Sequence, residues 1–370
     1  MRILFVTNFC PHYRVQTFEL LAGRVGVEFV FFSRGEEWYW ERRHELRTGN
    51  FPWKAAKGAR LGRLVWKADV EVILKDIDGP IPLLVTFLAA KLRRKPFVLW
   101  TGMWRHPRTL FHLLTYPVTR LVYAMSDAIV VYGEHVKRYL TSLGVAPDKI
   151  FIAAHAVDNA VYARVVPDEE QVDLRRRFGL GERQVLLYVG RLEPIKGLDT
   201  LVAAYKQVAA RDNMLVLVGD GSMRDSLRES VRRLGLDDQV VLAGYMSPTH
   251  TVAFYALATA LVLPSVTVPA GKETWGLVVN EAMNQGTPVI ASTSVGAAMG
   301  GLVQPGRTGE IVPERDADAL AAALRRILTD PEYRLRLRRE TRTVIAEWDN
   351  AKMVRGFLEA VRYAAARSRA

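Results

Sequence analysis

The sequence predicts an α/β protein of two doubly wound domains in tandem, and three observations carry that expectation. Short apolar strands alternate with amphipathic helices almost throughout, the rhythm of a parallel sheet covered on both faces. The rhythm breaks at the polar, glycine-containing stretch 167–183 and then restarts. In the second half, strands end on glycine or charge, as in Val189-Gly190-Arg191 and Val218-Gly219-Asp220-Gly221. Ligands of such sheets meet the carboxyl ends of the strands, which predicts a site in the cleft between the two domains.

Residues 2–8 read as an apolar strand broken by Pro11-His12-Tyr13-Arg14, and residues 15–24 as a helix with Phe18, Leu21 and Val25 on one face. A second strand covers 27–32. Residues 33–69 show no clean period, but Lys54, Lys57, Arg60, Arg63 and Lys67 alternate with Leu61, Leu64 and Val65. That spacing resembles a basic amphipathic helix, suited to an anionic membrane surface or to solvent. Strands at 70–74, 97–100, 128–132 and 149–153 then alternate with helices at 83–93, 108–125 and 134–143.

After the linker, strands are expected at 185–189, 214–218, 240–243, 260–263, 289–291 and 310–312. Helices separate them at 197–210, 223–234, 248–257, 277–285 and 316–328, and the chain closes with helices at 331–348 and 351–366. The expected domains are 1–163, 164–347 and a final helix, 348–370, that crosses back to the first.

With 370 residues, 49% of them hydrophobic and 24% charged, the chain is long enough for two cores and argues against extended disorder. The single cysteine, Cys10, excludes an internal disulfide framework and a cysteine-based zinc site, and it fits a reducing compartment. No secretory signal or membrane-spanning run is visible, so a cytoplasmic location is expected. The net charge of +12 is uneven: residues 1–165 hold 24 Lys/Arg against 14 Asp/Glu, and the rest is close to balanced. A basic first half suits an anionic partner.

The stretch Glu273-Thr274-Trp275-Gly276-Leu277-Val-Val-Asn-Glu281 sets two carboxylates eight positions apart around a helix start. Free amides there attract phosphate, and carboxylates accept hydrogen bonds from sugar hydroxyls. Gly190 allows a sharp strand exit, while Arg191 and Lys196 bring cations to a helix start, where they are misplaced unless they meet an anion. Gly219-Asp220-Gly221 and Gly244-Tyr245-Met246 end the next two strands, the latter placed to hold a base through backbone groups and a ring. No His/Asp cluster at metal spacing is found, so no metal site is expected.

Gly190-Arg191…Lys196-Gly197, Gly219-Asp220-Gly221, Leu263-Pro264-Ser265, Glu273…Glu281 and Gly286-Thr287-Pro288 occur in that order over residues 186–313. The series resembles the family-4 retaining glycosyltransferases of GT-B architecture, built from two Rossmann-like domains facing across a cleft. The resemblance covers the second domain, and the first matches only in its strand–helix rhythm. It implies a nucleotide-diphosphate sugar as donor substrate, no required cofactor and no metal. Arg191 and Lys196 would hold the diphosphate, Glu273 the transferred sugar and Glu281 the ribose. The Gly276 and Leu277 amides would face the phosphates, with Thr274 and Trp275 in the same loop. It further implies retention of anomeric configuration and a glycan or lipid-linked acceptor.

The first domain departs from that family. Pro11-His12-Tyr13-Arg14 stands where many members carry a glycine pair, and Thr101 stands where many carry a histidine, followed by Gly102, Trp104 and His106. Arg14, Thr101, Gly102, Trp104 and His106 are the acceptor-side candidates. Trp38, Trp40, Trp53, Trp66, Trp100 and Trp104 all lie in this half, where aromatic faces suit sugar rings or lipid headgroups. A sugar-nucleotide epimerase would need acid and base groups from both domains, a set the sequence does not supply. A non-catalytic sugar-nucleotide sensor is the other alternative. A nucleic-acid-binding module would spread its cations along one groove-facing element, which this chain does not do, so no nucleic-acid partner is expected.

Overall fold

The computed structural model describes residues 1–33 and 49–367, so Trp38 and Trp40 lie outside it. The chain forms two compact units, one of Met1–His106, Leu110–Ala156 and everything from Asn350 onward, the other of Pro107–Thr109 and Val157–Asp349.

In the first unit β1 (Arg2–Thr7), α1 (Val15–Ala22) and β2 (Gly26–Phe31) are followed by β3 (Trp53–Ala55), α2 (Gly58–Lys67) and β4 (Val72–Asp76). Then come α3 (Pro80–Leu92), β5 (Phe97–Thr101), α4 (Leu110–Met125), β6 (Ala128–Val131), α5 (Glu134–Ser142) and β7 (Ile150–Ile152). The seven strands pair in parallel in the order β3-β2-β1-β4-β5-β6-β7. The chain therefore reverses its direction of travel across the sheet between β1 and β4, a topological switch point.

The basic amphipathic run at 54–67 becomes β3 and α2; α2 buries Leu61 and Val65 and leaves Arg60 and Arg63, with Lys57 just before it, in solvent. One expectation changes here. The strand expected at 70–74 runs instead from Val72 to Asp76, because burial continues through Lys75 and Asp76. Each neutralises the other, so charge does not end the strand.

The second unit holds α6 (Asn159–Tyr162), α7 (Asp168–Arg177), β8 (Gln184–Val189), α8 (Leu198–Lys206), β9 (Asn213–Val218), α9 (Arg224–Arg233), β10 (Val240–Gly244) and α10 (Pro248–Leu257). It continues with β11 (Ala260–Leu263), α11 (Val278–Asn284), β12 (Val289–Ser292), α12 (Gly296–Met299), β13 (Gly309–Val312), α13 (Ala317–Thr329) and α14 (Pro331–Ala346). Its six parallel strands run β10-β9-β8-β11-β12-β13, with the switch point between β8 and β11. Helix starts follow the sequence: Asp316 accepts from the Ala319 amide at 2.8 Å, and Asp330 accepts from the Tyr333 amide at 2.8 Å, with Pro331 in the first turn.

Three arginines one turn apart on α14 tie this unit together. Arg334 donates to the Ile327 carbonyl at 2.8 Å, Arg338 to Ala258 at 3.1 Å and Arg342 to Gln285 at 3.5 Å, reaching the ends of α13, α10 and α11. Helix carboxyl ends have unpaired carbonyls and a negative dipole end, so each guanidinium meets a matching group.

The last helix, α15 (Asn350–Arg367), belongs to the first unit. Its Phe357 ring lies 5.8 Å from Phe5 and 5.2 Å from Trp100. Thr17 on α1 donates to Asn350 at 2.6 Å. A side chain at Gly356 would place its Cβ 2.2 Å from the Ile152 carbonyl, so glycine allows the helix to sit directly on β7.

Candidate functional site

In the second unit, the loops leaving β8, β9 and β11 converge at the switch point. A Cβ on Gly219 would fall 1.8 Å from the Gly190 carbonyl oxygen, so these two strand exits touch backbone to backbone. A Cβ on Gly221 would fall 2.5 Å from the Leu192 carbonyl oxygen, and the Leu192 amide donates to the Asp220 carbonyl at 3.0 Å. Asp220 itself accepts from the Gly221 amide at 2.9 Å. Ser222 donates through its amide and hydroxyl to Glu193, at 3.1 and 2.7 Å, fixing the Arg191–Lys196 loop to its neighbour.

That loop makes a single 3-10 turn, Pro194–Lys196, and enters α8 through Gly197, whose φ of +65° and approach to the Pro264 carbonyl both require glycine. Lys196 thereby reaches Glu273, with which it forms an ion pair, both side chains largely shielded from water. Ser265, just beyond β11, donates to the same carboxylate at 3.3 Å. Burial alone would raise the Glu273 carboxyl, but Lys196, Ser265 and Arg191 outweigh it and hold it below the ordinary carboxylate value. Arg191 is exposed, and its carbonyl accepts from the Tyr188 hydroxyl at 2.6 Å.

Glu273 is fixed through its backbone too. Its carbonyl accepts from Gly296 at 3.2 Å, and Trp275 accepts from Ala297 at 2.8 Å. Thr274 is exposed, whereas Trp275 is buried and donates from Nε1 to Asn280 at 2.8 Å. Gly276, at φ +91°, turns the chain into α11, which starts at Val278, one residue after the expected start at 277. Glu281 stands in its first turn. It accepts from the Tyr255 hydroxyl at 2.6 Å and is bonded by Tyr162 as well; burial, partly offset by these phenols, pushes its carboxyl up to about 6. Tyr245 and Met246 follow β10 at the sheet edge and are half-buried. Glu273, Lys196 and Arg191 are brought together, while Glu281 engages two tyrosines that the sequence did not link to it.

A pocket of about 960 Å³ elsewhere in this unit is lined by Asn159, Arg164, Gln285, Arg338 and Arg342. Arg338 and Arg342 there bond helix ends and Arg164 pairs with Glu170.

The first unit has its own polar cluster at its switch point. Asp76 accepts from Thr7, Lys75 and, at 3.2 Å, the Asn8 amide. Asn8 donates to Asp78 at 3.0 Å. The buried Arg14 guanidinium lies 4.5 Å above the Trp100 ring and 3.5 Å from Asn8, and its Nε has no hydrogen-bond partner. His155 stacks on Tyr132 at 4.5 Å, and burial followed by the nearby Arg14 charge keeps its ring neutral. Asn8, Lys75, Asp76, Asp78, Tyr132 and His155 were not singled out in the sequence; only their position at strand ends could have found them.

The other acceptor-side candidates make contacts within the first unit. Thr101 is buried and accepts from the Met103 amide at 3.1 Å, and a Cβ on Gly102 would meet Tyr132 at 2.2 Å. Trp104 packs edge-on against His135 at 5.0 Å. His106 is tied by Nε2 to the His112 carbonyl at 2.7 Å and leans on Tyr116.

The sequence profile described as "Glycosyl transferases group 1" matches residues 171–344. A GDP-mannose-dependent alpha-(1-6)-phosphatidylinositol monomannoside mannosyltransferase of Mycobacterium tuberculosis is 30% identical over 78% of this chain and 75% of its own length. Alpha-D-kanosaminyltransferase of Streptomyces kanamyceticus is 28% identical over 63% of this chain, a match that spans 60% of that relative. The solved structure of HepE from Anabaena, in complex with UDP, is similar in fold over 98% of this chain and 100% of its own, with a TM-score of 0.79 at 19% identity.

Proposed function

The chain belongs to the group 1 glycosyl transferases, and we propose on that premise that it transfers a sugar from a nucleotide diphosphate to a glycan or lipid-linked acceptor, with retention of configuration and without a metal. The observation that carries the reading is the meeting of Arg191, Lys196 and Glu273 at the switch point of the second unit, beside a helix start. In this reading Glu273 holds the hydroxyls of the sugar, Glu281 the ribose, and Tyr245 and Met246 the base.

Arg191 and Lys196 neutralise the diphosphate. As the bond to the anomeric carbon breaks, negative charge grows on the departing phosphate oxygen, and a fixed cation stabilises it more than it stabilises the bound donor. The acceptor hydroxyl attacks the same face, its proton passes to that oxygen, and a nucleoside diphosphate is released. In this reading Arg14 and Asp78, in the polar cluster at the first unit's switch point, hold the acceptor. The enzyme works in the cytoplasm, peripherally on the inner membrane face, a placement supported by the basic first half of the chain.

Thermal unfolding against a panel of nucleotide diphosphates and their sugar conjugates, with chelator and then with magnesium, tests the reading. A ligand at about a hundred times its Kd adds roughly 2.7 kcal/mol of stability. A shift for one base that persists with chelator is expected. No shift for any of them overturns the donor assignment, and a shift only with magnesium overturns metal independence.

A further inference from the structure

Helix α4 carries its amphipathicity the wrong way round. Leu110, Phe111, Leu114, Val118, Leu121 and Met125 fall at spacings of one, three and four, which gathers them in a single stripe along the helix. Such a stripe normally faces the core. Here all six are exposed, Leu110 and Leu114 by 75% and 73%, and of the helix's sixteen residues only Val122 and Tyr123 are buried. The side turned inward carries His112, Thr115, Tyr116 and Thr119, and Thr115 and Thr119 spend their hydroxyls on carbonyls within the helix.

Helix α3 repeats the pattern. Ile81, Leu84, Leu88 and Leu92 are exposed along one line, while Leu83, Thr86, Phe87 and Ala90 face the sheet. Strands β4, β5 and β6 are adjacent and parallel. Right-handed crossovers between them place α3 and α4 side by side on one face of that sheet. Helix α2 packs against α3, and Arg93 bonds its last turn through Val65 and Ala68 at 3.0 and 2.8 Å. The basic side of α2 therefore flanks the two apolar stripes.

The charge pattern names the occupant. From Gly79 to Ser126 the chain contains seven Lys/Arg and no Asp or Glu, and residues 54–67 add five Lys/Arg, again without an acid. We propose that the outward face of α3 and α4, rimmed by the cations of α2 and the α3–β5 turn, is a docking surface for an anionic lipid bilayer. The apolar stripes enter the headgroup boundary while the cations meet lipid phosphates. A second copy of the chain fits worse, because a symmetric pair would press two faces with an excess of cations together. No helix of the described residues is long and apolar enough to cross a membrane, so the contact lies in the membrane plane. The inference rests on the peripheral placement proposed above and gives it a surface; it does not depend on which donor is used.

Co-sedimentation of the full chain with phosphatidylcholine vesicles, alone or with about one-third phosphatidylglycerol, tests it. The expected result is partition to the anionic vesicles and little to the neutral ones. Leu114→Gln/Leu121→Gln should lower that partition about tenfold or more. Arg60→Glu/Arg63→Glu should lower it too, and the salt sensitivity with it. Both variants alter exposed residues, so an unchanged melting temperature and an unchanged thermal shift with nucleotide diphosphate would show the fold and donor site intact. A wild type that stays in solution with anionic vesicles, or variants that partition as it does, overturns the proposal. So does a wild-type dimer in sedimentation velocity that the leucine variant converts to monomer, which would assign the face to a second copy. Loss of the nucleotide shift in every form would instead sink the donor reading and leave this one standing.

Discussion

Lys196 and Glu273, 77 positions apart, form an ion pair at the switch point of the second sheet. The cation assigned to the diphosphate and the carboxylate assigned to the sugar are thus held in register by each other. Lys196→Ala should lower kcat about 100- to 1000-fold while donor Kd changes by less than about threefold, because leaving-group charge develops in the transition state. Separate measurement of kcat and Kd decides it, and a pure Michaelis-constant effect would remove Lys196 from the leaving-group role.

Glu281 gives a pH signature. Its carboxyl, raised by burial to about 6 against an ordinary 4.5, binds a proton more readily folded than unfolded. Its contribution to stability is therefore full below the ordinary glutamate range and is lost as pH rises through about 6. On the ribose assignment donor binding needs the ionised form, so affinity should run the other way and fall as pH drops below about 6. Calorimetry from roughly pH 5 to roughly pH 8 should show this for the wild type but not for Glu281→Gln. Glu281→Ala should weaken the donor by about 2–4 kcal/mol at neutral pH, and an unchanged affinity would end the ribose assignment.

Gly219→Ala should cost about 3 kcal/mol, since the new methyl group would lie 1.8 Å from a backbone oxygen that cannot swing away. Gly301→Ala is the comparison. Its φ of +94° carries strain but its surroundings are open, so about 1 kcal/mol is expected. Urea unfolding of the two variants checks the difference, and equal losses would mean the β8 and β9 exits are not in contact in solution.

Lys75→Met should destabilise the first unit by about 3 kcal/mol, because it removes one partner of a buried pair and leaves Asp76 with only Thr7 and Asn8. Lys75→Met/Asp76→Leu should recover part of the loss. Chemical denaturation compares them, and a double variant worse than the single would show that the Asp76 bonds to Thr7 and Asn8 matter more than the charge pairing.

The second unit's switch point was legible because glycine and charge at strand exits leave marks in the sequence. Gly190, Gly197, Gly219 and Gly276 each stand where the structure needs a positive φ or the absence of a Cβ. Strand order was not written there, so the first unit's cluster was missed. Lys75 and Asp76 look like the end of a strand until folding brings Thr7, 69 residues earlier, against Asp76. The tyrosines holding Glu281 were hidden for the same reason, since Tyr255 is 26 positions away on another helix. The stripe of α4 was readable as a period, but its direction was not, because a period says which residues share a face and never which way the face looks.

Helix α15 fixes an order of events during synthesis. Domains generally fold as they leave the ribosome, the amino-terminal one first. Here the first unit lacks Phe357, and with it the cover over Phe5 and Trp100, until α15 has emerged. The second unit, nearly continuous from Val157 to Asp349, is wholly in hand before α15 is made. Of the two units, the one translated first is therefore completed second, and until then its exposed aromatic residues are what a nascent-chain chaperone would hold.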